Sequence, residues 1–237
     1  MTSKIKVSAE LTYLAAIVLL SLAVAMLSAA DFGISMIVAP AYLLSLKLSP
    51  LSFGQAEYVI QAGVFLVLCI VLRHFKPVYL FSFGTCLIYG FVLDLWRMLP
   101  FFNPSVTAPG SMPLWLRIGM FALGMILTSF SVALFFKTYL YPQVYDFFVK
   151  AVSVRYGIRL SLLKTVVDLS CLTASVIMTF AFFGGIRGIG WGTLVMALLN
   201  GTVIGLFSKA LDKIFAFTPT FPRFAALFAL QTERTKP

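Results

Sequence analysis

Residues 184–205 read GGIRGIGWGTLVMALLNGTVIG. The run is apolar enough to lie in a membrane, yet glycine stands at 184, 185, 188, 190, 192, 201 and 205. A glycine in a helix interior costs about 1 kcal/mol against alanine. Two uses of the missing side chains are open. Glycine lets the backbone leave helical geometry and lets neighbouring helices approach closely; Gly201 and Gly205 have the GxxxG spacing of such a contact. A glycine-rich turn feeding a helix also exposes backbone N–H groups where an anion or carboxylate docks. Gly190, Gly192 and Thr193 are the candidates for that role.

Working outward, the rest of the chain is of the same kind. Of its 237 residues, 61% are hydrophobic and only 11% charged, and the mean hydropathy is +1.01. A water-soluble surface needs about 25% charged residues. The composition therefore gives an all-α polytopic membrane protein. Six stretches have the roughly 20 apolar residues that a transmembrane helix needs: 11–30, 55–73, 78–98, 114–136, 163–183 and 190–208. The first is longer than the apolar core of a signal peptide, about 7–15 residues. With the N-terminus in the cytoplasm, 14 of the 18 lysines and arginines fall on the inner side, and Lys47, Arg97, Arg117 and Arg187 on the outer. Basic residues gather in cytoplasmic loops, so both termini are expected in the cytoplasm of a bacterial inner membrane. The net charge of +10 is then anchoring at the inner leaflet, not a nucleic-acid surface.

Nothing in the sequence asks for an enzyme, a cofactor or a metal. Cys69, Cys86 and Cys171 lie in apolar runs without a CxxC, which gives neither a disulfide framework nor a zinc site. His74 sits in the polar cluster Arg73-His74-Phe75-Lys76 at a helix end. HExxH, GxSxG and Walker signatures are absent.

Two segments between spans are neither loops nor full spans: 32–53 after the first helix and 138–161 after the fourth. In the second, Val144, Phe147, Phe148, Ala151 and Val152 recur at helical spacing. Each segment reads either as an interfacial amphipathic helix or as a re-entrant one lining a cavity. The order of parts is doubled, with one repeat over about 11–99 and another over about 114–209. A slide of 107 or 108 residues sets Phe83-Gly84-Thr85 on Trp191-Gly192-Thr193, Glu57 on Lys164 and Gln61 on Asp168. Three spans per repeat invert the second copy, the arrangement in which transporters place a site at the midplane. The remainder, 214–237, reads as an interfacial segment with a polar tail.

Chemistry must come from polar residues at membrane depth, where a charge costs about 2.5–3.5 kcal/mol on the insertion scale. Asp168 leads: it follows Lys164 at i,i+4 and is either a structural partner of it or a contact for a substrate or coupling ion. Glu57 and Gln61 share a helix face, with water at the outer interface as the simpler setting for Glu57. Asn200, beside Gly201, is interhelical glue or a solute contact. Asp94 and Arg97 read as a pair or a gate. Asp31 closes the first helix, and Tyr89 and Trp191 are the aromatics best suited to a site.

The run Gly188-x-Gly190-x-Gly192-Thr193, the stretch ALLNGTVIGLFSK (197–209) and a Pro-and-Asp segment before a short amphipathic helix resemble the YczE/YitT-like family of bacterial integral membrane proteins over about residues 11–213. That family carries Pro-Trp-Asp after the first and fourth helices. This chain departs from it, with Pro142-Gln-Val-Tyr-Asp146 in the second copy and no acid around Ser35–Pro40 in the first. The resemblance implies an inner-membrane protein and suggests transport. The expectation is a secondary transporter of a small polar or anionic solute. The other class is a non-transporting scaffold or accessory subunit. The partners expected are the bilayer, one small solute and, where the chain oligomerises, a second copy.

Overall fold

The computed structural model describes residues 4–73, 75–108 and 110–229, so His74 and the end of the tail lie outside the described residues. Six helices are long and apolar enough to cross a membrane, among the described residues: α1 (Ala9–Ala30), α3 (Phe53–Leu72), α4 (Leu80–Met98, entered through a 3₁₀ turn at Pro77–Tyr79), α5 (Leu114–Phe135), α7 (Leu160–Phe183) and α8 (Trp191–Ile214). Their bounds fall within three residues of the hydropathy reading, except that α8 runs six residues past 208. Two short helices lie between them, α2 (Ala39–Lys47) and α6 (Val144–Tyr156). A last helix, α9, covers Pro222–Ala229.

The centre of the bundle is α1 packed lengthwise on α5. Small residues allow it: Gly124 of α5 sits so close to α1 that a methyl there would lie 3.0 Å from Leu27 and 3.1 Å from the Ala23 carbonyl. Helix α4 packs on α1 and α8 on α5; α2 lies between α3 and α7, and α6 lies against α3, α4 and α7. Neither short helix is only a surface element. Ala39, Ala41, Leu43, Val144 and Phe147 are buried inside the bundle. Pro40 at the start of α2 suits a first helical turn, where no N–H is needed.

Local chemistry fixes the ends. Ser52 and Gln55 form a capping box at the start of α3. Asp31 closes α1 in the left-handed conformation, with φ of 55°. Arg117 of α5 reaches back to that end, donating to the carbonyls of Ala30 (2.8 Å) and Asp31 (3.0 Å) and covering the Phe32 ring. A cation at a helix C-terminus meets carbonyls left without partners. Burial pushes the Asp31 carboxyl up from its ordinary value, and the Arg117 charge pulls it part of the way back.

One feature had no sequence signal strong enough to read. Strand β1 (Ile5–Ser8) pairs in parallel with β2 (Phe215–Thr218), with Ile5 opposite Phe215 and Ser8 opposite Thr218. The pair brings the start of α1 and the end of α8 to one side of the bundle. Glu10 locks this junction by accepting from Tyr139 Oη (2.7 Å), Ser8 Oγ (2.8 Å) and the N–H groups of Thr220 and Phe221 that open α9. Parallel strands are not joined by a hairpin, and about 210 residues separate these two, so no turn signal marks the pair.

Candidate functional site

The glycine-rich run makes its contacts with the turn after α1. The Gly192 N–H donates to the Phe32 carbonyl at 2.8 Å, and Ile34 N–H to the Gly188 carbonyl at 3.4 Å. Gly33, at φ of +101°, lies flat on Gly190; a Cβ there would be 2.5 Å from Thr193 Oγ1 and 2.6 Å from Gly190 N. Thr193 Oγ1 in turn accepts from Gly190 N–H. The N-terminus of α8 is therefore filled by the chain's own backbone. Gly190, Gly192 and Thr193 form a crossing point between the 32–34 turn and α8. Gly201 and Gly205 differ again: a Cβ on either meets nothing within 4 Å among the described residues, so this GxxxG makes no close contact inside the chain.

A cavity of about 300 Å³ lies between the two halves. Its walls come from α1, the 35–38 turn, α4, α5, the start of α6, α7 and α8. Lys164 and Asp168 of α7, Asp146 and Gln143 at the start of α6, Tyr89 of α4 and Asn200 of α8 supply its polar groups. Helical spacing on α7 puts Lys164 and Asp168 on one face. Lys164 Nζ bridges two carboxylates, Asp146 at 3.2 Å and Asp168 at 3.8 Å. Asp168 is thus paired with Lys164, as the i,i+4 spacing allowed, and it also lines the cavity. One ammonium faces two carboxylates, so the wall carries an excess of negative charge.

Behind this wall lies a buried hydrogen-bonded layer. Glu57 and Gln61 of α3 are both fully buried, which overturns the expectation of water around Glu57. Gln61 Nε2 donates to Glu57 Oε2 (3.0 Å) and to Gln143 Oε1 (3.0 Å), and Gln61 Oε1 accepts from Val144 N–H (3.1 Å). Tyr145 Oη donates to Glu57 Oε2 at 3.2 Å. Through Gln143, whose side chain belongs to both, the layer touches the cavity. Two residues that line the cavity, Tyr89 and Gln143, each carry a buried polar atom with no partner among the described residues, Oη and Nε2. Leaving a buried polar group unpaired costs about 1–3 kcal/mol.

The other sequence candidates fall into place around it. Asn200 Oδ1 accepts from Ser129 Oγ at 2.6 Å, which joins α8 to α5 at the cavity edge. Tyr89 lines the cavity, whereas Trp191 is 83% exposed and faces outward. Asp94 and Arg97 make no ion pair with each other among the described residues. Asp94 accepts from Ser52 Oγ and from Gly54 N–H (2.9 Å), and so caps α3; Arg97 covers the Phe53 ring at 5.2 Å. Being three apart placed them near one another but not face to face. Gln143, Asp146 and Tyr145 were missed as site residues. The signal was Pro142 followed by polar residues at the start of a short helix, whose periodicity leaves both an interfacial and a cavity-lining place open. A second cleft, about 410 Å³, lies under α9 between Lys137, Lys150 and Tyr139; it holds no unpartnered buried polar atom among the described residues. No group of three or more His, Cys, Asp and Glu side chains is placed to hold a metal, among the described residues.

Residues 7–209 match the family described as "Family of unknown function (DUF6198)", and the chain belongs to that family. No curated protein matches the chain, and no solved structure does.

Proposed function

We propose that this membrane protein is a secondary transporter, with its solute site in the cavity between two inverted repeats. One observation carries the reading: an interhelical cavity lined by Lys164, Asp146 and Asp168 beside Tyr89 and Gln143, whose buried Oη and Nε2 atoms have no partner among the described residues. Repeats of this kind place substrate sites near the midplane where the halves meet. The packing supports the repeats. Exchanging α1–α4 for α5–α8 turns the α1·α4 contact into α5·α8, α2·α3 into α6·α7, and α3·α6 into α7·α2, and each of these is made. The side chains agree. A shift of 108 residues carries Thr85 to Thr193 and Gly33 to Tyr141; Thr85 Oγ1 donates to the Tyr141 carbonyl, and Thr193 Oγ1 lies against Gly33.

The cargo in this reading is a small polar solute. The anionic option loses weight, because the N-terminus of α8 is filled by Phe32 and the one lysine of the cavity is bridged by carboxylates. Coupling to H⁺ or Na⁺ through Asp168, a bacterial inner membrane and cytoplasmic termini belong to the same proposal, as does the YczE/YitT-like resemblance. A scaffold or accessory subunit is the second reading. The closed pairs Asn200–Ser129 and Lys164–Asp146, with an exposed small-residue face on α8, favour it.

The test is a thermal-shift panel on detergent-purified protein, with amino acids, amines, organic acids and small cations, and with Asp168→Asn in parallel. A ligand of the folded state raises its stability by mass action. A shift seen in the wild type and lost in Asp168→Asn supports the transporter reading. A flat panel in both proteins moves the scaffold reading ahead.

A further inference from the structure

The cavity wall is unequal on its two sides. The hairpin α3–α4 is closed: Gly54 and Gly90 bring the two backbones together, Tyr58 packs over Gly90, and Tyr58 Oη donates to the Leu87 carbonyl at 2.9 Å. The hairpin α7–α8 is not. These helices do not pack along their length, although both line the cavity. Ser161 and Thr165 of α7 and Ala197 and Gly201 of α8 line it and are exposed. A Cβ on Gly201 meets open space. Around this slot the surface is apolar, with Val166 and Leu169 about half exposed and Leu198 78% exposed. In a membrane that surface faces acyl chains, because both helices are apolar spans.

We infer that the slot between α7 and α8 is a lateral portal through which the polar headgroup of an amine-bearing amphiphile enters the cavity while its tail stays in the bilayer. The inference rests on the cavity being a substrate site. Three observations select this occupant. The polar groups form a ladder along the slot, from Ser161 through Lys164, Thr165 and Asp168 to Asn200. At 1.5 Å per residue, Asp168 lies about 12 Å along α7 from its start, well inside the apolar layer. A group crossing there without a tail would meet hydrocarbon on its open side, whereas an amphiphile brings its own. Second, two carboxylates against one ammonium leave a wall that attracts a cation. Third, Tyr89 and Gln143 line the cavity, and each carries a buried polar atom, Oη and Nε2, with no partner among the described residues, which leaves hydrogen-bonding capacity beside the cavity for the rest of a headgroup.

The full chain is reconstituted in phosphatidylcholine vesicles containing a phosphatidylethanolamine with a photoactivatable diazirine next to its headgroup. Phosphatidylglycerol with the same diazirine serves as the anionic control. Labelled peptides are mapped by mass spectrometry. The amine lipid should label the cavity wall at Tyr89 and Asn200 several-fold more than the anionic lipid does. That labelling should fall several-fold in Gly201→Trp, which blocks the slot from α8, in Thr165→Trp, which blocks it from α7, and in Asp168→Asn. Leu198→Trp, outside the slot, should leave it unchanged. Two blocking variants keep the test standing if one of them does not fold. Equal labelling by the two lipids overturns the amine assignment. A cavity without label, in a protein that a water-soluble amine or amino acid stabilises in an Asp168-dependent way, overturns the lateral portal and leaves the solute-transporter reading in place. No label and no stabilising solute overturn both.

Discussion

The crossing of the 32–34 turn over α8 makes a quantitative prediction about single methyl groups. At Gly33 an alanine meets two penalties. Its φ of +101° is a conformation that costs an L-residue about 1–3 kcal/mol. Its Cβ would stand 2.5 Å from Thr193 Oγ1 and 2.6 Å from Gly190 N, an overpacking that costs about 1–3 kcal/mol. The loss of unfolded-state freedom offsets only about 0.4–1 kcal/mol. The expected destabilisation of Gly33→Ala is about 1–5.6 kcal/mol, summing the strain and overpacking ranges less the offset. Gly192→Ala is milder. One close neighbour is the edge of the Phe121 ring, which can move, and the other is the Phe32 carbonyl at 2.7 Å; about 1–2 kcal/mol remains after the helix preference of alanine. Gly201→Ala is the control, for its Cβ meets nothing within 4 Å. It should be neutral or stabilising by up to about 1 kcal/mol. The assay is reversible unfolding in mixed detergent–SDS micelles, followed by tryptophan fluorescence. If Gly33→Ala unfolds like the wild type, or Gly201→Ala loses as much as Gly33→Ala, the close-approach account of the glycines is wrong.

Arg117→Ala should cost about 1–2 kcal/mol, the range of a partly buried cation at a helix C-terminus, while Asp31→Asn costs less, because the guanidinium binds the α1 carbonyls at 2.8 and 3.0 Å and the carboxylate only at 3.9 Å; the same unfolding assay ranks the two, and the reverse order would contradict the capping role. Asp168→Asn should change stability by under about 1 kcal/mol, as expected for the weaker arm of a partly exposed pair, since Lys164 keeps Asp146 at 3.2 Å. Lys164→Met should be the more damaging, because it leaves Asp146 and Asp168 facing each other; equal effects would show that Asp168 is the principal partner. Thr85→Val removes the hydroxyl that joins Tyr13 to the Tyr141 carbonyl and should cost about 0.6–2 kcal/mol, the range for interhelical hydrogen bonds in membranes; no change in unfolding would remove that bond from the set holding α1, α4 and the α5–α6 turn together.

Composition and hydropathy alone determined the class and the spans. Water cannot be the solvent of a chain this apolar, and a helix is the one open-ended element that satisfies its own backbone in lipid. That constraint is local, so it is written in every window of about 20 residues. The order of long and short apolar segments was legible too. So was the spacing of Lys164 and Asp168, since an i,i+4 pair shares a face wherever the helix lies. Tertiary structure decided everything that depends on which faces meet. It buried Glu57, which stands one turn into α3, by laying α6 over it. It turned Asp94 away from Arg97 toward the start of α3. It spent Gly190 and Gly192 on a backbone crossing with Phe32 and left Gly201 on an open slot. It joined β1 to β2 across nearly the whole chain. Each of these is a contact between residues far apart in sequence, and its energy comes from a partner that no local pattern names.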